Sequence, residues 1–176
     1  MAIEYKDLLG PNGEENNMGG TEQIVYLIRK SDVKTYPAPA AAPANKYVMN
    51  TPYVLNTGKK AMQLYTTEDM SELDLGSNGE ADGKSFKPML KLFYPGIDED
   101  AIQFINDVKN DKVNMLVPLN NGKIIQLGSG KHFMTVSPEM KTGTVSGRGL
   151  GTFIEISGFV PNILFYSAAV PLTPAP

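Results

Sequence analysis

The sequence predicts an α+β domain that is mainly β: an antiparallel β-sandwich or barrel with one flanking α-helix and extended arms. Three observations carry this. Short runs rich in β-branched and aromatic residues recur through the middle of the chain, bounded by Gly, Pro and Asn. A single stretch, about residues 98–110, repeats its apolar residues at helical spacing. Both ends, and a proline-rich stretch near residue 40, hold too little apolar surface to offset the entropy of ordering them. A chain of 176 residues suits one core with appendages.

Residues 1–22 read as an N-terminal arm, punctuated by Gly10-Pro11-Asn12-Gly13 and Gly19-Gly20. The β-rich core domain follows over residues 23–159. Its first strand is Gln23–Arg29, which contains no breaker. A Pro-rich loop occupies 34–50, where three prolines between Pro37 and Pro43 favour an extended, semi-rigid segment despite the alanines. Tyr53–Leu55 and Ala61–Tyr65 are short strands around Thr57-Gly58. Residues 68–83 form an acidic, glycine-punctuated stretch with no basic residue inside. Ser85–Tyr94 is a strand in which Pro88 favours an edge or a bulge, because proline cannot donate to a ladder.

The helix at 98–110 has Asp98 as N-cap and Ile97 placed to staple onto Ile102. Ala101, Phe104, Ile105 and Val108 make its apolar stripe, with acids in the first turn and Lys109 and Lys112 at the end, as the helix dipole favours. A hairpin pairs Val113–Val117 with Lys123–Leu127 around Asn121-Gly122, read as a two-residue turn. Residues 128–150 are glycine-rich without clear period, Thr152–Phe159 is a last strand, and 160–176 is a C-terminal tail.

Composition removes most chemistry. There is no cysteine, so disulfides, thiolate metal sites and cysteine nucleophiles are excluded. His132 is the single histidine, which precludes a multi-histidine metal centre. Sixteen basic against nineteen acidic residues give a net charge of −3, so no strong polyanion-binding surface is expected. Met1–Asp7 lacks a basic region followed by an apolar run, and no apolar run approaches the roughly 20 residues of a bilayer span, so neither a secretory signal nor a membrane partner is expected.

Motifs that suggest chemistry fail on their context. Gly79-Glu80-Ala81-Asp82-Gly83-Lys84-Ser85 has three residues between its glycines where a phosphate loop needs four, and it precedes a strand rather than a helix. Gly128-Ser129-Gly130-Lys131-His132 lacks the first glycine and the hydroxyl after lysine. Asp74-Leu75-Gly76-Ser77-Asn78-Gly79 partly matches a calcium loop, but Gly76 holds a ligand position and Ser85 stands where the bidentate Glu belongs. A loose cation contact among Asp74, Asn78, Glu80 and Asp82 competes there with a plain solvated acidic loop. His132 as a lone base, and Arg148 between glycines as a phosphate contact, compete with ordinary surface roles. No catalytic residue, cofactor or metal site is assigned, and no enzymatic activity is expected.

What remains is a core with arms that gain order on neighbouring subunits. The arm anchors expected between subunits are Ile3, Tyr5, Leu8 and Leu9 at the N-terminus, and Leu164, Phe165 and Tyr166 in the tail. Several stretches then carry a resemblance: Asn17-Met18-Gly19-Gly20 before a strand leading to Ser31-Asp32-Val33; Gly79–Phe86 leading to Tyr94-Pro95-Gly96 and a helix; Asn120–Lys123 with Leu127-Gly128-Ser129; and Thr142-Gly143 before the last strand and Pro161. Together, over about residues 17–171, they resemble small virion structural proteins of tailed bacteriophages, of the tail-tube-like and head-to-tail ring type found in crAss-like and related phages.

The resemblance implies a non-enzymatic subunit whose copies join sheets into a ring around a DNA channel. Its partners would be copies of itself and neighbouring head, neck or tail proteins, with at most non-specific passage of DNA. It implies location in the virion, assembled in the host bacterial cytoplasm. Under it, the acids Glu68, Asp69, Glu72, Asp74, Glu80 and Asp82 are expected to face the channel or a neighbouring ring. A capsid decoration or auxiliary head protein is the alternative within that class. A cation- or carbohydrate-binding β-module is the alternative outside it.

Overall fold

The structure, a computed structural model, describes residues 7, 16–41, 45–147 and 149–176. Its strands are β1 (Ile24–Arg29), β2 (Val33–Thr35), β3 (Val48–Met49), β4 (Val54–Leu55), β5 (Met62–Tyr65), β6 (Glu72–Asn78) and β7 (Ser85–Pro95). After α1 (Glu99–Val108) come β8 (Lys112–Pro118), β9 (Ile124–Leu127), β10 (Met134–Lys141), β11 (Gly151–Gly158) and β12 (Leu164–Tyr166). The fold is α+β and mainly β, as the sequence predicts. Most strands join one large mixed sheet, while β2 and β4 pair separately.

The sheet curls because β8 serves three neighbours. β1 pairs along one side of it, and on the other side β10 takes Lys112 and Val113 while β9 takes Met115–Pro118. From β1 the sheet continues to β5; from β10 it continues through β11 and β7 to β6. The two ends meet where Thr67 N–H donates to Phe93 C=O (3.0 Å) and Phe93 N–H donates to Thr66 Oγ1 (3.1 Å). Strands β8, β1, β5, β7, β11 and β10 therefore close into a partly open barrel. Inward residues alternate along each strand and fill it: Leu27, Leu90, Leu92, Met115, Met134 and Ile156 are all essentially inaccessible. Val108 joins this core from the helix.

Helix α1 spans the barrel's seam. Asp98 Oδ1 accepts from Ala101 N–H at 2.7 Å and Tyr94 O–H donates to Asp98 Oδ2 at 2.9 Å. These two bonds stabilise the anion and hold the Asp98 carboxyl below the ordinary carboxylate range. Ala101 and Val108 are buried and Phe104 and Ile105 half-buried, which is the stripe that the periodicity predicts. The staple residue Ile102 is instead 46% exposed, so Ile97 gains little cover from it.

A second core lies on the outer face of β1, β8, β9 and β12. Ile28, Leu116, Tyr53, Leu55 and Tyr166 are buried there, under Tyr36 and the tail residues Ala168, Val170 and Ala175. The covering segments are tied down by Ala61 N–H to Pro171 C=O and Gly58 N–H to Ala175 C=O, each 2.8 Å, and by Ala38 N–H to Thr51 Oγ1 at 2.7 Å.

Five expectations are corrected here. The 160–176 tail is no arm: β12 inserts between β9 and β3, and the residues after it pack on their own chain. Residues 72–78 form strand β6 rather than a loop, and residues 134–141 within the glycine-rich stretch form β10. The Pro-rich region, where described, is bound to the chain through β2, β3 and the Pro39–Met49 bridge. The β8–β9 connection is a turn closed by Gly122 N–H to Leu119 C=O (2.9 Å), in which only Gly122 takes positive φ, at 80°. That is a type of hairpin loop with a bulging glycine, not a two-residue turn.

Pro88 is the fifth. It sits in the interior of the sheet, opposite Leu75 of β6. The ladder to β11 lapses beside it, between Ser157↔Met89 and the bridge Phe86↔Val160, which absorbs the missing donor.

Candidate assembly surface

The wall formed by β10, β11, β7 and β6 differs from the rest of the barrel because, among the described residues, nothing covers its outer side fully. Side chains that alternate outward there are Glu72 and Asp74 from β6, Lys87, Met89 and Lys91 from β7, Phe153 and Glu155 from β11, and Ser137, Glu139 and Lys141 from β10. Opposite charges are paired on this face: across β6 and β7 Lys91 Nζ lies 3.3 Å from Glu72 Oε2, and along β10 Lys141 Nζ lies 2.9 Å from Glu139 Oε2. Both pairs are exposed and contribute little to stability. The Phe93 and Phe153 rings meet at 4.9 Å between centroids, tilted 55° to each other, with the Lys141 ammonium 5.1 Å from the Phe153 ring. The Phe93 ring lies across Gly151, where an added Cβ would sit 2.2 Å from its Cε2.

Both borders of this wall are open among the described residues. Phe86 and Val160 exchange two backbone hydrogen bonds, of 2.8 and 2.9 Å. Such pairs alternate along an antiparallel ladder with pairs that exchange none. Counting along the constant register aims the backbone groups of Glu72, Asp74, Gly76 and Asn78 at β7, and those of Leu73, Leu75 and Ser77 at the open side of β6. On β10 the same count leaves Val136, Pro138 and Met140 facing outward beyond the short pairing with β8. Pro138 therefore stands where no donor is required within the chain.

The six acids expected on one surface are divided by the structure. Glu72 and Asp74 stand on the outward face of β6. Glu68 and Asp69 belong to the turn before it, with Asp69 at φ 58°. Glu80 and Asp82 sit at the β6–β7 hairpin tip, on the order of 20 Å away along the strand, with Asp82 at φ 66°. With Asp74 in a ladder and Glu80 and Asp82 in a turn, the calcium-like spacing does not gather into a loop. No group of three or more His, Asp or Glu that could hold a metal occurs among the described residues.

Ile3, Tyr5, Leu8 and Leu9 lie outside the described residues, as does Arg148. Tyr166 is corrected: it is 3% exposed, accepts from Tyr53 N–H at 3.3 Å and donates to Ala169 C=O at 2.8 Å, so it anchors its own chain. Leu164 packs half-buried on the same cluster. Phe165 does face outward, 36% exposed, with the Lys123 ammonium 5.6 Å from its ring.

The lysines and Glu155 of the sheet face were not singled out from sequence, although Lys87-x-Met89-x-Lys91 and Ser137-x-Glu139-x-Lys141 alternate against inward partners. Among the described residues no helix is long and apolar enough to cross a membrane. In comparisons with known proteins, no family model, no curated protein and no solved structure matches the chain.

Proposed function

We propose that this chain is a non-enzymatic structural subunit of a phage-type virion, joining copies of itself into a tail-tube-like or head-to-tail connector ring around a DNA channel. The observation that carries the reading is the four-stranded wall whose two unlike borders, β6 and the distal half of β10, are open among the described residues. An open strand border is a template for another chain. Two unlike borders on one subunit pair head to tail, and such contacts close into rings where the rotation permits. The virion setting rests on the resemblance carried by residues 17–171.

In such a ring the outward face of the wall lines the channel. It holds four carboxylates (Glu72, Asp74, Glu139, Glu155) against three ammonium groups (Lys87, Lys91, Lys141), a balance that neither repels DNA strongly nor retains it. Neighbouring head, neck or tail proteins would meet the ring above and below.

Negative-stain imaging with light scattering tests the reading. The full chain should form closed rings, and Ser77→Pro, which removes an outward N–H of β6, should give folded monomer. A second arm addresses the channel: Glu72→Lys with Asp74→Lys should leave rings intact and slow DNA ejection from particles that carry them. Rings unaffected by Ser77→Pro overturn the edge contact, and unchanged ejection overturns the channel-lining role.

A further inference from the structure

We infer that a second copy of this chain docks end to end on the barrel, its basic end seated over an acidic, partly apolar groove at the opposite end. The inference deepens the ring reading by naming what the ends of the ring bind, and it rests on that reading.

The barrel is polarised in charge. β1 begins beside Glu22 and ends at Arg29-Lys30; α1 begins with Glu99 and Asp100 and is followed by Lys109. The two elements run in the same sense. Tyr65, the register partner of Ile24 at the start of β1, shares a groove with Asp100 and Ala101 at the start of α1. At the other end Arg29 Nε pairs with Asp111 Oδ2 at 3.1 Å, just beyond the helix. From Glu22 to Lys30 is about 26 Å of extended chain, so the charge sets are well separated.

The acidic end holds Glu22, Glu68, Asp69, Glu99 and Asp100, all exposed and none in an ion pair among the described residues, against the exposed Lys123 of the β8–β9 turn. The basic end holds Lys30, Lys109, Lys112 and Lys131, exposed and likewise without an ion pair among the described residues. Its acids are Asp111 and Asp32, held by Arg29 and Lys59, the exposed Asp107, and Glu80 and Asp82 at the β6–β7 tip; Lys59, Lys60 and Lys84 stand there too, so basic groups still outnumber acids.

The acidic end also carries a groove of about 180 Å³ where β5 and β7 part beneath α1, lined by Leu64, Ala101, Phe104 and Ile154. Around it stand the exposed Ile24, Tyr65 and Ile102, 39%, 43% and 46% accessible. An apolar floor inside an acidic rim suits a partner that brings aliphatic stems ending in ammonium groups, which is the character of four lysines. Because the two ends are unlike, the contact is heterologous and repeats, so rings stack rather than pair once.

The test is the length of stacks formed by the purified full chain, seen by negative stain and light scattering. Wild type should stack at about 0.01 M salt, where charges act over about 30 Å, and fall to single rings at about 1 M, where they act over about 3 Å. The acidic-end variant Glu68→Lys/Glu99→Lys/Asp100→Lys and the basic-end variant Lys109→Glu/Lys112→Glu/Lys131→Glu should each stop at single rings. The chain carrying all six changes should stack again, because complementarity is restored with its sign reversed, and melting temperatures certify that each variant is folded. Stacks persisting in either three-fold variant overturn the end contact and leave the ring reading intact, as does failure of the folded six-fold variant to stack. Monomer at every salt concentration overturns both.

Discussion

The two walls of the barrel share one core and have opposite exteriors. Behind β1, β8 and β9 the chain lays residues from 33–41 and 45–61 and its C-terminal segment, burying Tyr53, Leu55 and Tyr166. Behind β7 and β11 nothing comparable lies among the described residues, and the exterior there is an alternation of Glu, Lys and Ser ending in two strand borders that those residues leave open. The difference teaches where each part of the sequence acts. The tail and the described part of the Pro-rich region pack on the subunit itself, while the wall of β7 and β11 is the surface that the proposed reading assigns to contact between copies.

The largest expected effect breaks the covered wall. Tyr166→Ala should cost about 3–5 kcal/mol, read as a shift in the urea midpoint, because it empties a buried aromatic site beneath the tail. Phe165→Ala, one residue earlier but exposed, should stay within about 0.5 kcal/mol. Equal losses at the two positions would contradict the division between them.

Gly151→Ala comes next. Its Cβ meets the Phe93 ring, so the side chain must move at a cost of about 1–3 kcal/mol. Phe93→Leu in the same chain should recover part of the loss in the same urea titration, and no recovery would place the strain elsewhere.

A smaller effect sharpens the same contrast. Glu72→Gln should change stability by less than about 0.5 kcal/mol, because its pair with Lys91 is exposed. The smallest is pH-dependent. The Asp98 carboxyl lies below its ordinary range in the folded state, so the stability it adds is present above the unfolded carboxylate pKa and is lost as pH falls through the folded one. Melting curves of Asp98→Asn and wild type should therefore differ at pH 7 and converge in strong acid.

Much of the barrel was legible in the sequence because its strands are locally self-evident. Ile24–Arg29, Ser85–Pro95 and Gly151–Gly158 are long and bury one face, and Asp98 with the stripe from Ala101 to Val108 marks the helix. The strands that sequence reading missed share a physical reason. β6 and β10 have one wet face, and β6 is rich in acids and glycine, so their pattern is mainly that of the partner strand they pair with. β12 has three residues and is a strand only because β9 and β3 lie beside it.

Of the candidate surface, Glu72 and Asp74 were legible as exposed acids. The lysines beside them were not, because register alone brings Lys87 and Lys91 onto the same face. Tyr166 was misread for a related reason: an aromatic in a proline-rich tail looks like an anchor for a neighbour until the covered wall is seen to need it.

The central claim is that the bare wall joins copy to copy through its borders. Negative-stain imaging of the full chain beside its Ser77→Pro variant measures this most directly. Closed rings from the first, and from the second a monomer that melts near the parent's temperature, are the result expected. A parent that stays monomeric at high concentration, or a variant that still closes into rings, contradicts it.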